Sequence, residues 1–345
     1  ELRRNVDVVP AITVALDSDL KVIPISESCK DCRLEVRIES HVAQPQTGWV
    51  RLNLPDGWMA TPAKVPFTLD TKGDMATADF SVSSSQPLVV GSHRIRALAV
   101  VEDESFDTEM QTIAYPHIQT HRIYRPAEIL LQVVDFHVAP VTVGYIMGSG
   151  DRVPEALIQM GLTVTMLGPD ELRSGDFSRF DTIVVGIRAS EARPDFVSHH
   201  ERLLDYVRQG GTLIVQYQQT NYVRDNLTPF PAEMRSRVSN ERAPVRILET
   251  DHPVFLFPNQ IVNEDWEGWV QERNLYAFTS FDDRFIPLLE SFDPGEAPQR
   301  GGQVYAKLGR GHYIYTSYSW FRQLPAGVPG AYRMFANLVS LPNAR

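Results

Sequence analysis

Only two of the 345 residues are cysteine, Cys29 and Cys32, in the run SESCKDC. A pair this closely spaced serves as a redox centre, as half of a zinc site or as a local disulfide. A thioredoxin-type centre needs a βαβ setting and a helix start, which a strand-rich region lacks, and a zinc site lacks its second ligand pair. The pair is therefore expected to be structural, as a loop disulfide or two free thiols. Positive charge is also in deficit: 33 Lys and Arg stand against 43 Asp and Glu, a net charge of -10. With no basic run to neutralise phosphates, a nucleic-acid partner is not expected. No apolar stretch reaches the ~18 residues that a membrane-crossing helix needs. The chain opens on Glu1 without a charged-then-apolar leader, as a processed product or an excised fragment would. A GxGxxG run is absent too, which leaves a dinucleotide site without support.

With 43% hydrophobic and 22% charged residues, the chain has the composition of a soluble globular protein and the length for two domains. The first third alternates apolar and polar residues in short segments: 11–16, 21–25, 34–40, 48–54, 63–69, 77–82, 92–101 and 107–115. Turns such as Pro55-Asp56-Gly57 and Lys72-Gly73-Asp74 separate them. Seven or eight strands at this spacing predict an immunoglobulin-like β-sandwich over residues 1–115. Trp49 and Trp58 are expected to fill its core or its edge rather than to stack a sugar. Residues 116–126, PHIQTHRIYRP, lack periodicity and read as an extended linker, with His117 and His121 as linker residues because the prolines oppose a helix.

From residue 127 to 345 the pattern becomes strand and helix in alternation. The stretch 141–161, VTVGYIMGSGDRVPEALIQMG, reads as strand, glycine turn and helix. The runs TIVVGI and TLIVQ mark strands buried on both faces, as in a parallel sheet covered by helices. Residues 195–209 carry a helical apolar stripe that ends at Gly210-Gly211, with His200 expected to pack on it. A hairpin turns at Gly309-Arg310-Gly311, and a helix over 328–341 closes the domain.

The stretches YIMGSGDRVPEALIQMG, FDTIVVGIRAS, LLDYVRQGGTLIVQYQ, APVRILETDHPVF, DWEGWVQERNLY and GHYIYTSYSWFRQLPAGVPGAYRMFANLVSL together resemble the C-terminal region of long bacterial PIG-L (LmbE-like) deacetylases. In that family a zinc-dependent de-N-acetylase module precedes an Ig-like module and a domain similar to class I glutamine amidotransferases. The resemblance implies a multidomain chain: an all-β sandwich, then a flavodoxin-like α/β domain with a mainly parallel sheet. It further implies a carbohydrate ligand, association with the deacetylase module of the parent chain and a periplasmic or secreted location. The family's His-Pro-Asp-Asp zinc-binding run is missing here; Asp251-His252-Pro253 is nearest and lacks the following carboxylates. No catalytic residue, metal or other cofactor is therefore expected in this chain, and zinc is expected only in the absent module.

An amidotransferase-type glutaminase also needs a cysteine on a strand-to-helix elbow. Here strand 212–216 runs into Tyr217-Gln218-Gln219-Thr220-Asn221, and no base can be assigned to Thr220. What an open parallel sheet should gather at its carboxyl edge is a set of ligand-binding candidates: Ser149, Asp151, Arg188, Gln218, Gln219 and Asn221. Glu267, Trp269, Trp320 and Arg322 add aromatic faces beside charges, which suits a sugar. Against a ligand role, Arg188 would pair with Glu267 or Asp151 and the tryptophans would fill a satellite core. The expected function is that of a non-catalytic carbohydrate-binding or assembly region. The alternatives are a hydrolase with an unrecognised site and a self-association module that makes homo-oligomers.

Overall fold

A computed structural model describes residues 7–26 and 32–344. The chain divides into two compact units, the first ending at Val134 and the second starting at Asp135.

The first unit is all β. In chain order its strands are β1 (Ile12–Leu16), β2 (Leu20–Pro24), β3 (Cys32–Ser40), β4 (Gln46–Asn53), β5 (Trp58–Thr61), β6 (Val65–Leu69), β7 (Met75–Ser84), β8 (Gly91–Val101), β9 (Glu104–Phe106), β10 (Thr108–Ile113), β11 (His121–Pro126) and β12 (Glu128–Val134). One sheet runs β1-β3-β7-β5; the other runs β2-β12-β8-β4-β6, with β9 beside β8. Strict alternation explains the packing. In β3, Leu34, Val36 and Ile38 are buried while Arg33, Glu35 and Arg37 are exposed. The inward set joins Val50, Leu52, Phe67, Phe80, Ile95 and Leu131 from both sheets in one core, so the expected sandwich forms. Cys32 is disulfide-bonded. Cys29 lies outside the described residues.

Two features of this unit correct the sequence reading. The linker expected over 116–126 is in part a strand: β11 pairs antiparallel with β10, and Arg125 donates to both oxygens of Glu109 at 3.1 Å. His121 opens that strand, while the His117 ring stacks on Tyr115 at 5.9 Å. Secondly, the segment expected to begin the α/β domain, β12, lies in the sandwich, parallel to β2 and antiparallel to β8. Its run EILLQVV is buried at Ile129 and from Leu131 to Val134, which mimics the apolar run of a parallel strand.

The second unit is α/β. Strands β13 (Thr142–Ile146), β14 (Thr163–Met166), β15 (Thr182–Val185) and β16 (Thr212–Gln216) are followed by β17 (Ala232–Val238), β18 (Val245–Ile247), β19 (Asn274–Phe281), β20 (Ile286–Pro287), β21 (Leu289–Ser291), β22 (Gln303–Leu308) and β23 (Gly311–Thr316). The main sheet runs β14-β13-β15-β16-β23-β22-β20. Its first five members are parallel; β22 runs antiparallel to β23, and β20 antiparallel to β22. Counting only the parallel strands, the order is 2-1-3-4-5, the flavodoxin-like arrangement. The helices are α1 (Val153–Gln159), α2 (Pro169–Ser174), α3 (Ala189–Ala192), α4 (Pro194–Arg208), α5 (Asn221–Arg224), α6 (Trp320–Gln323) and α7 (Pro329–Ser340). In α4 the residues Phe196, Leu203, Leu204 and Val207 point inward, and His200 bonds the Val197 carbonyl through Nδ1. No helix among the described residues is long and apolar enough to cross a membrane.

Candidate functional site

In a doubly wound sheet the ligand crevice opens where neighbouring strands lead their connections to opposite faces, here between β13 and β15. In this unit that crevice is shut. The Gly148 backbone lies so close to the next loop that a Cβ there would fall 1.9 Å from the Ile187 carbonyl oxygen. Ser149 donates its backbone N–H to that same oxygen at 2.9 Å and its hydroxyl at 3.4 Å. Asp151 completes the closure by accepting from the Tyr145 hydroxyl (2.6 Å), the Val153 N–H (3.1 Å) and the Ile187 N–H (3.2 Å). Burial pushes its carboxyl pKa up, against the pull of these hydrogen bonds.

Two more candidates are likewise consumed by backbone. Gln218, fully buried, donates to the Gly186 and Gln216 carbonyls and accepts from the Ser190 N–H. Asn221 donates to the Ser190 carbonyl and accepts from the Ser190 hydroxyl. The tryptophans proposed as sugar platforms are interior: Trp269 is 5% and Trp320 0% exposed, packed with Trp266 and Tyr318 at ring separations of 5.1–6.3 Å. Glu267 is exposed on the turn between the two tryptophans of its run. Asp151, Gln218, Asn221, Trp269 and Trp320 therefore hold the fold together and present nothing to a ligand.

A different cluster is open at the carboxyl edge, beside β15 and β16. Arg188 emerges there from the end of β15, as its place after a buried run predicts. It pairs with Glu191, Nε to Oε2 at 2.6 Å, and not with Glu267 or Asp151. Its N–H donates to the Tyr217 carbonyl, which ties the two loops. The pairing with Glu191, helped by the nearby Tyr217 and Tyr276 phenols, raises the guanidinium pKa further. The Tyr217 ring lies 5.6 Å from Tyr276 and stacks on Phe321 at 5.9 Å. Burial raises its phenol pKa. Gln219 reaches the Tyr217 hydroxyl at 3.4 Å, and the Arg322 guanidinium sits 4.9 Å above the Phe321 ring while pairing with Glu272. Arg188 and Tyr276 both hold left-handed backbone, with φ of 54° and 56°. Such strain at non-glycine residues concentrates at functional sites. Among the described residues the Thr220 hydroxyl has no hydrogen-bond partner, and the Ser149 hydroxyl donates to the Ile187 carbonyl.

Of the sequence candidates, Arg188, Gln219 and Arg322 thus share an edge with Phe321 of the aromatic run Trp320-Phe321-Arg322, and with Tyr217, Tyr276 and Glu191, which sequence reasoning missed. Tyr217 had a signal, its place directly after TLIVQ. Tyr276 and Phe321 arrive from segments with no strand-end pattern. A cleft of about 550 Å3 lined by Asp176, Arg202, Asp205 and Arg310 lies elsewhere, by the amino ends of β15 and β16. Its Arg202 is spent on the carbonyls of Glu171, Leu172 and Gly175.

No protein-family model and no curated protein matches this chain. Among solved structures it is similar to the β-galactosidase from Rahnella sp. R3, at 15% identity and a TM-score of 0.37, over 56% of this chain and 31% of that one. A β-galactosidase from Bacillus circulans sp. alkalophilus is similar at 14% identity and a TM-score of 0.37, over 59% of this chain and 31% of that one. A putative ThuA-like protein from Bacteroides uniformis is similar at 9% identity and a TM-score of 0.39, over 57% of this chain and 88% of that one. The match spans under a third of each β-galactosidase.

Proposed function

We propose that this chain is a non-catalytic, carbohydrate-directed accessory region of a larger hydrolase, and that its second unit holds a polar glycan at Arg188. The observation that carries the reading is the open cluster of Arg188, Glu191, Gln219, Tyr276 and Phe321 around the buried Tyr217. A guanidinium and the Tyr276 phenol supply donors, a carboxylate accepts, and the half-buried Phe321 and Tyr276 rings offer an apolar face, which together match the hydroxyls and ring face of a sugar. The larger hydrolase is, in this proposal, a zinc-dependent de-N-acetylase of the LmbE-like kind; the sequence stretches quoted above are its support. Zinc and the acetyl-releasing chemistry then belong to that module, and the ligand of this chain is an N-acetylated glycan.

Calorimetric titration of the purified chain with N-acetylglucosamine oligomers tests the reading. Saturable binding is expected, and Arg188→Ala removes it with the melting temperature unchanged, because the Arg188–Glu191 pair is solvent-exposed and surface pairs contribute little. Binding that survives Arg188→Ala would place the glycan elsewhere. Stoichiometric zinc binding with release of acetate from an N-acetylated sugar by this chain alone would overturn the accessory role.

A further inference from the structure

The outer face of the sandwich carries a second constellation, independent of Arg188. Along β4, Val50 and Leu52 enter the core, so Trp49, Arg51 and Asn53 must point the other way. Trp49 stands opposite Pro66 on β6 and Val100 on β8, and Arg51 opposite Leu98. The neighbouring strands alternate in the same sense: Pro66, Leu98 and Val100 lie outward while Phe67, Ala97 and Ala99 are buried. The result is a flat apolar platform, Pro66-Trp49-Val100 with Leu98 beside it, centred on a half-exposed indole. Two cations lie over that ring, the Lys64 ammonium at 5.4 Å and the Arg51 guanidinium at 5.9 Å from its centroid. Farther along the sheet Arg94 and Arg96 are committed to Glu128 and Asp107. Arg51 and Lys64 have no such carboxylate among the described residues. In a chain of net charge -10, two exposed, unpaired cations beside an indole leave an anionic group unsupplied by the protein itself.

We propose that this face binds an acidic glycan, one that carries carboxylates as a uronic-acid chain does. Its carboxylates draw Arg51 and Lys64 aside, exposed cation–π contacts being weak, and a sugar ring lies on the Trp49 face they leave. The acidic turn Glu102-Asp103-Glu104 follows Val100 and repels the carboxylates from the opposite side, which sets the direction of the chain. Charge complementarity and magnitude favour a glycan over other polyanions. Duplex DNA binding draws on roughly 6–10 phosphate contacts in proteins that rely on it. Membrane surfaces are read by clusters of about 4–8 Lys or Arg. Two unpaired cations around a stacking ring fall short of both and suit one or two carboxylates on a ligand that also stacks.

Isothermal titration of the intact chain with tetragalacturonate, at low and at physiological salt, tests this. Saturable binding is expected, and Trp49→Ala and the double change Arg51→Ala/Lys64→Ala each weaken it at least tenfold. Both variants should melt with the parent, because these side chains lie outside the core. The neutral galactose tetramer should bind at least tenfold more weakly than tetragalacturonate. Binding indifferent to Trp49→Ala, or equal for the neutral tetramer, would overturn the proposal. So would tighter binding of duplex DNA or of phosphatidylserine vesicles that the same variants abolish.

Discussion

Asp151 is a residue whose chemistry suggests a ligand and whose surroundings supply a different role. Three donors converge on it, the Tyr145 hydroxyl and the Val153 and Ile187 N–H groups, and Gln216 in turn donates to the Tyr145 hydroxyl at 3.0 Å. Asp151→Ala strands those donors, and a lost partner for a buried donor costs about 1–3 kcal/mol. We expect a loss of about 3 kcal/mol in urea unfolding, with Asp151→Asn milder because its amide oxygen still accepts. Trp320 sits with no exposed surface, its indole N–H donated to Thr316 at 2.7 Å. Trp320→Ala should cost about 3–5 kcal/mol by the same measurement. A result under 1 kcal/mol there would mean that the tryptophan cluster is not the core it is taken to be.

Two histidines make stability depend on pH. His252 and His312 lie on either side of Tyr305, whose hydroxyl meets His312 Nδ1 at 3.0 Å and whose ring is 4.6 Å from the His252 ring. Burial lowers both pKa values to about 4, with Lys307 and His252 adding to the effect on His312. A folded-state value below the unfolded one, near 6.5, means that the unfolded chain binds more protons between the two. The stability these neutral rings support is thus complete above about pH 6.5. It is lost as pH falls towards about 4. Thermal melts from pH 7.5 to 4.5 should show this decline, and the double variant His252→Gln/His312→Gln should flatten it. An identical slope in the variant would assign the decline to other groups.

Among the elements, the buried parallel strands were the easiest to read. TIVV and TLIVQ are buried at every position because helices cover both faces, and all but their Thr and Gln ends are apolar. The β10–β11 hairpin was illegible for a corresponding reason: its second strand, HRIYRP, is almost wholly exposed and carries charges where an alternating apolar face would be. Its pairing rests on cross-strand contacts such as Glu109 with Arg125, and these appear only once the register is known. Limited proteolysis should therefore cut within the exposed turn at 114–120 and spare His121–Pro126, where the backbone is engaged in the ladder. Fast cleavage inside β11 would mean that the hairpin opens readily.

At the scale of the molecule, each unit closes its own core, one from alternating strands of two sheets and the other from the sheet, α4 and the aromatic residues of β19 and β23. A fragment of residues 135–345 should accordingly unfold in a single cooperative transition; a gradual loss of ellipticity on heating would show that it depends on the first unit. The sequence by itself determined the class of each unit, because period-two alternation and fully apolar runs follow from how many faces of a strand are covered, a local property. It also put Arg188 and Gln219 at the carboxyl edge, since a residue that follows a buried parallel strand has nowhere else to emerge. Only the tertiary structure decided which polar side chains are spent on backbone and which face outward. Asp151, Gln218 and Asn221 are the same residue types as a ligand set, and each is tied to a group far along the chain, Asp151 to the Ile187 N–H and Gln218 and Asn221 to Ser190. Tyr276 and Phe321 join Arg188 through long-range packing, for which a linear pattern holds no period. The edge of the second unit between its domain boundary at Asp135 and its first parallel strand was decided in the same way, since β12 reads as a buried strand in either sheet and only its partners, β2 and β8, assign it to the sandwich.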